Sequence, residues 1–243
     1  MIYFASDIHL GGGDEHVSRA KEQRFVTWLD RMAVDAEAIF LLGDIFDFWF
    51  EYQGVVPKGF VRTLGKLAEL TDRGIRVVFL AGNHDMWVGD YLLRECGVEV
   101  YTAPQVMLLN GRQVFMAHGD AMGVSGEPRV LNRIFRSRSL RWFFSWFIHP
   151  DWAMRFGHWW SGKSRKSHDN ESFDESITDP LVAYAREYAR NNTVDHFVFG
   201  HMHFPRDFRE EGLHSIHLGC WDKIPTYAEL DHVGNMTLKT FES

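Results

Sequence analysis

Five short polar segments constrain this chain more than anything else in it. They are Asp7-Ile8-His9, Gly43-Asp44, Gly82-Asn83-His84-Asp85, His118-Gly119-Asp120 and Gly200-His201-Met202-His203, and each stands where an apolar run stops. The runs themselves, Ile2 to Ser6, Ala38 to Leu42, Val77 to Ala81, Val114 to Ala117 and His196 to Phe199, are brief and closed by Gly or Asp, so they read as buried strands. Between them, Arg19 to Met32 and Phe60 to Asp72 read as helices, the second with Leu64, Leu67, Ala68 and Leu70 on one face and Gly74 as its stop. Strands alternating with amphipathic helices predict an α/β layered fold. In the last third, His214 to Leu218, Thr226 to Asp231 and Met236 to Phe241 read as consecutive strands with a turn at Gly234-Asn235, which predicts a second, more antiparallel sheet.

A length of 243 residues can bury a substantial core, and a single domain over 1–243 is expected. A net charge of −7 argues against a general nucleic-acid binder, whose affinity for phosphate comes mainly from Lys and Arg. The two cysteines, Cys96 and Cys220, are too few for a disulfide framework and lack zinc-type spacing, which fits a reducing interior. The first residues enter a strand with no basic or apolar leader ahead of them, so a cytoplasmic location is expected.

The polar segments carry the chemistry. Residues i and i+2 of a strand point to one side, so Asp7 and His9 are expected to converge at a strand's carboxyl end, where open α/β sheets gather their ligands. Asp44 is a natural bridge, because one carboxylate can give an oxygen to each of two cations. With Asp7 as the second negative charge, and Asn83, His9, His118, His201 and His203 neutral, two divalent ions would keep a net charge of about +2, which draws an anionic phosphate. Two ions roughly 3.5–4 Å apart can share a hydroxide, lower its pKa and stabilise both oxygens of an in-line displacement. Imidazole and carboxylate ligands without thiolate suit manganese, iron or zinc, and manganese is favoured here. Asp-x-His alone is a weak signal and a lone Gly-Asp is more often a turn; Gly-Asn-His-Asp and Gly-His-Met-His are stronger, and five segments in order behind five strands share a purpose. The remaining histidines read as ordinary surface or core residues.

This ordered set resembles the calcineurin-like metallophosphoesterase superfamily, whose pattern is Asp-x-His, Gly-Asp, Gly-Asn-His, a later His, and Gly-His-x-His, matched here from residue 7 to residue 203. The resemblance implies a four-layer sandwich of two mixed β-sheets flanked by helices. It also implies one ion held by Asp7, His9, Asp44 and His203, and a second by Asp44, Asn83, His118 and His201. His84 would protonate the leaving oxygen or stabilise charge developing on it, with Asp85 orienting His84 and Asp47 and Asp120 supporting the site.

Substrate choice falls to the region between His118 and His201, read as a helical cap inserted at 121–176. Residues 129 to 166 hold nine Arg and Lys against the single acidic Asp151, a net of +8, together with five of the nine tryptophans. A basic, aromatic, helical insert suits a membrane interface or a lipid-bearing anion; the bland alternative is a cap whose aromatics pack on the main body. Within the superfamily the layout most resembles the UDP-2,3-diacylglucosamine pyrophosphatases of lipid A synthesis, on Asp7-Ile8-His9-Leu10, Gly43-Asp44-Ile45-Phe46-Asp47, His118-Gly119-Asp120 and the insert ending in Ser161-Gly162-Lys163-Ser164-Arg165-Lys166. That branch splits the pyrophosphate of a nucleotide-sugar lipid, giving UMP and a lipid monophosphate, at the inner face of the cytoplasmic membrane. Carried over, the reacting phosphate would meet Asn83, His84 and His201, while Ser161, Lys163, Ser164, Arg165 and Lys166 would meet sugar and phosphate. Well-known members carry Arg where this chain has His84. The alternatives are a related phosphoesterase acting on nucleotides, other phosphodiesters or phosphoproteins, and a non-catalytic scaffold.

Overall fold

The computed structural model describes residues 1–122, 137–157 and 179–242, and its core is two β-sheets lying face to face. The first has six strands in the order β11-β10-β1-β2-β3-β4, formed by β1 (Ile2–Ala5), β2 (Ala38–Leu41), β3 (Arg76–Leu80), β4 (Glu99–Tyr101), β10 (Thr226–Leu230) and β11 (Met236–Thr240). The second has five in the order β5-β6-β7-β9-β8, formed by β5 (Gln105–Leu109), β6 (Arg112–Ala117), β7 (His196–Phe199), β8 (Arg206–Glu210) and β9 (Leu213–His217). β1 to β4 run parallel, as do β6, β7 and β9, while the sheet margins are antiparallel. Both sheets are therefore mixed.

Side-chain alternation on the central strands explains the layering. From the first sheet, Ile2, Phe4, Phe40, Val78 and Leu80 point inward to meet Val114, Met116, Val198 and Ile216 of the second. Their neighbours Tyr3, Ala5, Ile39, Leu41, Val77 and Phe79 point outward to Phe25, Trp28 and Leu29 of α1 (Glu15–Met32) and Leu67 and Leu70 of α2 (Val61–Asp72). On the far side, Phe115, Phe197 and Phe199 pack on Leu181, Val182 and Ala185 of a later helix. Helix, sheet, sheet and helix make the four-layer sandwich.

Helix ends are set locally. Asp14 caps α1 by accepting from Val17 N. A short α3 (Tyr91–Cys96) stops at Gly97 in the left-handed conformation. Ser137 caps α4 (Arg138–Phe147), and Asp179, followed by Pro180 in the first turn, caps α5 (Pro180–Ala189) through Leu181 N and Val182 N.

The expectation of one antiparallel sheet from the last third is corrected. β9 joins the second sheet parallel to β7, whereas β10 and β11 join the first sheet beside β1. The fully buried β9 has no solvent face to mark it as a hairpin partner, so its sequence could not assign it to a sheet.

α4 packs against the sandwich. Its Phe144 packs on Trp87 and Phe50, with ring centroids 5.4 and 6.2 Å away, and Tyr52 Oη donates to Ile148 O at 3.1 Å. The following helical residues 150–157 come close enough to the body that a Cβ on Gly157 would fall 2.4 Å from the Phe48 ring. Trp142, Phe143, Trp146 and Phe147 of α4 are exposed all the same. Between α4 and the 51–56 loop runs a groove of about 880 Å³, with Tyr52, Val55, Val56, Tyr91, Arg94 and Trp142 among its mixed polar and apolar walls.

Candidate metal centre

All five segments meet at the carboxyl ends of the inner strands. Asp7 and His9 follow β1, Asp44 follows β2, Asn83 to Asp85 follow β3, His118 follows β6, and His201 and His203 follow β7. The backbone ties these ends together through Asp7 N to Gly43 O (3.1 Å), His9 N to Asp44 O (3.0 Å), Gly200 N to His118 O (3.0 Å) and Trp221 N to Asp7 O (3.1 Å). From α1, the buried Lys21 ammonium holds His9 O at 2.9 Å.

Convergence does not come from strand alternation, as the spacing of Asp7 and His9 suggested. Both residues lie beyond β1 with positive φ (54° and 51°), and Asp44, His201 and His203 share that conformation at 53°, 70° and 53°. Asp and His tolerate the left-handed region better than most residues, but five together mark a turn geometry that the surrounding structure must enforce. Close packing is part of it: a Cβ on Gly82 would lie 2.2 Å from Asp44 Oδ1, so only glycine fits there.

Each carboxylate divides its oxygens between structure and site. Asp7 Oδ2 accepts from Ser6 Oγ and His201 N, at 2.5 and 3.0 Å. Its Oδ1 is buried, accepts no hydrogen bond, and faces His203 Nε2 at 3.4 Å and His9 Nε2 at 3.9 Å. Those two imidazole nitrogens stand 3.2 Å apart. Asp44 Oδ1 accepts from His84 N at 2.9 Å, leaving Oδ2 3.3 Å from His118 Nε2. Asn83 Oδ1 completes a second group, 3.0 Å from His118 Nε2 and 3.1 Å from His201 Nδ1. Among the described residues, the buried donor groups include His9 with Asp44 and His84, Asp7 with Asp44 and His118, and His9 with His203 and Cys220.

A buried carboxylate oxygen that accepts no hydrogen bond, beside two imidazole nitrogens 3.2 Å apart, would be costly left as it is. Divalent cations fit this donor set, which combines imidazole, carboxylate and amide oxygen. His118 Nδ1 donates to Leu42 O at 2.9 Å, which turns Nε2 toward Asp44 and Asn83 as a metal-binding imidazole requires.

Ionisation within the chain agrees. Burial opposes charge on Asp44, but the neighbouring imidazoles of His118 and His84 hold it well below the usual carboxylate range. Burial likewise opposes charge on His118, yet the Asp44 carboxylate drives it up to about 10. Desolvation, and then His84, lower His9 well below an ordinary histidine. His203 is raised against burial by its contact with Asp7. Without cations, the carboxylates of Asp44 and Asp7 favour the charged forms of His118 and His203, and cation binding would compete with those protons.

Asp85 has a different part from the one expected. Its carboxylate accepts from Gly82 N (2.7 Å), Ile45 N (2.9 Å) and Asp44 N (3.2 Å), stapling the loop after β2 to the loop after β3. Burial, and then the Asp44 charge, push it up to about 7. His84 is oriented instead by the main chain of Asp47, whose carbonyl accepts from Nδ1 at 2.9 Å, while Nε2 lies 3.8 Å from Asp44 Oδ2. Asp47 also places a carboxylate oxygen 3.9 Å from His9 Nδ1, and Asp120 is buried near enough to favour the charged form of His118. Ser161, Lys163, Ser164, Arg165 and Lys166 lie outside the described residues. Sequence reasoning missed Cys220, whose sulfur sits with His9 and His203. No motif spacing links it to them; only its place just after β9, beside the β7 end, could have pointed to it.

Comparison with known proteins agrees with this geometry. Residues 1–205 match the family model for calcineurin-like phosphoesterases. A Porphyromonas gingivalis protein called UDP-2,3-diacylglucosamine hydrolase is 38% identical over 95% of this chain and 94% of its own length. A Pseudomonas aeruginosa protein of the same name is 29% identical over 96% of both. Among solved structures, an archaeal phosphodiesterase shares the fold, with a TM-score of 0.51 at 12% identity over 99% of both chains. The chain belongs to the calcineurin-like phosphoesterase family of metal-dependent hydrolases.

Proposed function

We propose that the chain hydrolyses the pyrophosphate of UDP-2,3-diacylglucosamine, giving UMP and 2,3-diacylglucosamine 1-phosphate. The observation that carries this reading is the 38% identity, extending along 95% of the chain, to a protein called UDP-2,3-diacylglucosamine hydrolase. The exposed aromatics of α4 and the groove beside it offer apolar surface of the kind two acyl chains need. The insert at 121–176 is the lipid-facing cap in this reading, and its apolar face also touches the membrane surface from the cytoplasmic side. Among the described residues no helix is long and apolar enough to cross a membrane.

Asp7, His9, Asp44 and His203 hold one divalent ion, and Asp44, Asn83, His118 and His201 the other, with manganese preferred. Such ions lower the pKa of bound water and polarise phosphoryl oxygens. The protein's own part is to fix and protonate. Asn83, His84 and His201 orient the reacting phosphate, and Ser161, Lys163, Ser164, Arg165 and Lys166 receive the sugar and the second phosphate. Because His84 Nδ1 is committed to Asp47 O, the proton for the leaving oxygen comes from Nε2, on the side facing Asp44. As water adds to phosphorus it gives up one proton to solvent, while the bridging P–O bond breaks and its oxygen takes the proton from His84 Nε2.

Purified protein supplied with manganese should release UMP from UDP-2,3-diacylglucosamine. Turnover restricted to aryl phosphodiesters or phosphomonoesters would contradict the assignment.

A further inference from the structure

Among the described residues, Cys220 is the cysteine grouped with the candidate ligands, and no motif accounts for it. It is buried, and its sulfur lies with the ligand nitrogens of His9 and His203 in a group whose atoms are all within 4.8 Å of one another. An independent feature aims at the same place: the fully buried Asp7 Oδ1, which accepts no hydrogen bond, faces both imidazoles at 3.4 and 3.9 Å. The segment carrying Cys220 is fixed on both sides, by Leu218 N to Phe199 O at 2.7 Å and by Trp221 N to Asp7 O at 3.1 Å. The thiol is thus held against the ligand turns by the backbone.

We propose that Cys220 Sγ is a further donor to the ion held by Asp7, His9, Asp44 and His203, making that position a mixed nitrogen, oxygen and sulfur site. The inference rests on the ligand assignment proposed above. As the metal–sulfur bond forms, the S–H bond breaks and its proton passes to solvent, with no change of oxidation state. The consequence is selectivity. Thiolate favours zinc, iron or cobalt over manganese, so the manganese preference given above to both positions narrows to the second, with its Asn83 oxygen and imidazoles, and the first is softer. One more negative charge also reduces the surplus that the pair presents to phosphate.

Cobalt substitution tests this without relying on turnover. The full chain loaded with Co²⁺ should show a thiolate-to-cobalt charge-transfer band in the near ultraviolet. The band should vanish in both Cys220→Ser and Cys220→Ala, which retain Cys96, and zinc affinity at one position should fall by about 10- to 100-fold, the range seen when a group supporting a metal site is lost. Cobalt bound without that band, or a band surviving in both variants, overturns the thiol ligand and leaves the two-ion assignment standing. A chain that binds no cobalt, zinc or manganese overturns both together.

Discussion

The ligand turns and the α4 helix break the usual burial rule in opposite directions. Around Asp7, Asp44, His9 and His118, charge and polarity are buried almost completely, while Trp142, Phe143, Trp146 and Phe147 leave large aromatics in water. Both arrangements are costly alone. Backbone hydrogen bonds tie the first together, and in the proposed reading cations would complete it, while acyl chains would cover the second. In the proposed reading the contrast separates reaction from substrate: the turns would determine what bond is broken, and α4 which molecule brings it.

The strongest way to break this division is at Asp44, which faces both ligand groups. Asp44→Asn should lower kcat on the order of 10⁴-fold, because each ion contributes several kcal/mol to charge stabilisation, and metal analysis should show lost ions. A loss of tenfold or less would remove Asp44 from its bridging place. His84→Gln should lower kcat about 10³-fold with metal content unchanged, as fits a proton donor rather than a ligand. If ions leave with that substitution, His84 belongs to the ligand set.

A third prediction concerns the buried wall beneath the β7 ligands. Burial, with the Arg206 charge and against the pull of Asp179, depresses His217 to about 4, below the 6.5 of an unfolded histidine. The unfolded chain therefore takes up the proton first. The contribution from neutral His217 is intact above pH 6.5 and is lost as pH falls toward 4, amounting to about 3 kcal/mol. Denaturant titrations at pH 7 and 4.5 should show this loss, and His217→Gln should flatten it; equal slopes for both proteins would count against the depressed value. The smallest effect belongs to α4. Replacing Trp142 and Trp146 with Ser should raise KM for the lipid substrate about tenfold, the worth of part of an aromatic side chain's burial, while turnover of a small aryl phosphodiester stays unchanged. Equal losses on both substrates would merge the two regions' roles.

The inner strands were legible because β1, β2, β3, β6 and β7 are short, apolar and closed by the ligand segments themselves. Edges were not. β8, Arg-Asp-Phe-Arg-Glu, is a partly exposed edge strand whose charges protect it from further pairing, so it lacks the apolar signal. β4, at three residues, is too brief to show a period. The candidate ligands could be read from the segments, but their means of convergence could not: positive φ at Asp7, His9, Asp44, His201 and His203 depends on packing such as Gly82 against Asp44. Asp85 and Cys220 show the same limit. What each touches depends on loops brought together from distant parts of the chain, as with Asp85 at the backbone of Ile45.

In the proposed reading the five segments form two adjoining cation sites sharing Asp44. Metal analysis of the chain stripped with chelator and reloaded with manganese or zinc tests it most directly. Two ions per wild-type chain, with both weakened together in Asp44→Asn, is the predicted result; a single ion per chain, or two ions indifferent to Asp44, would contradict it.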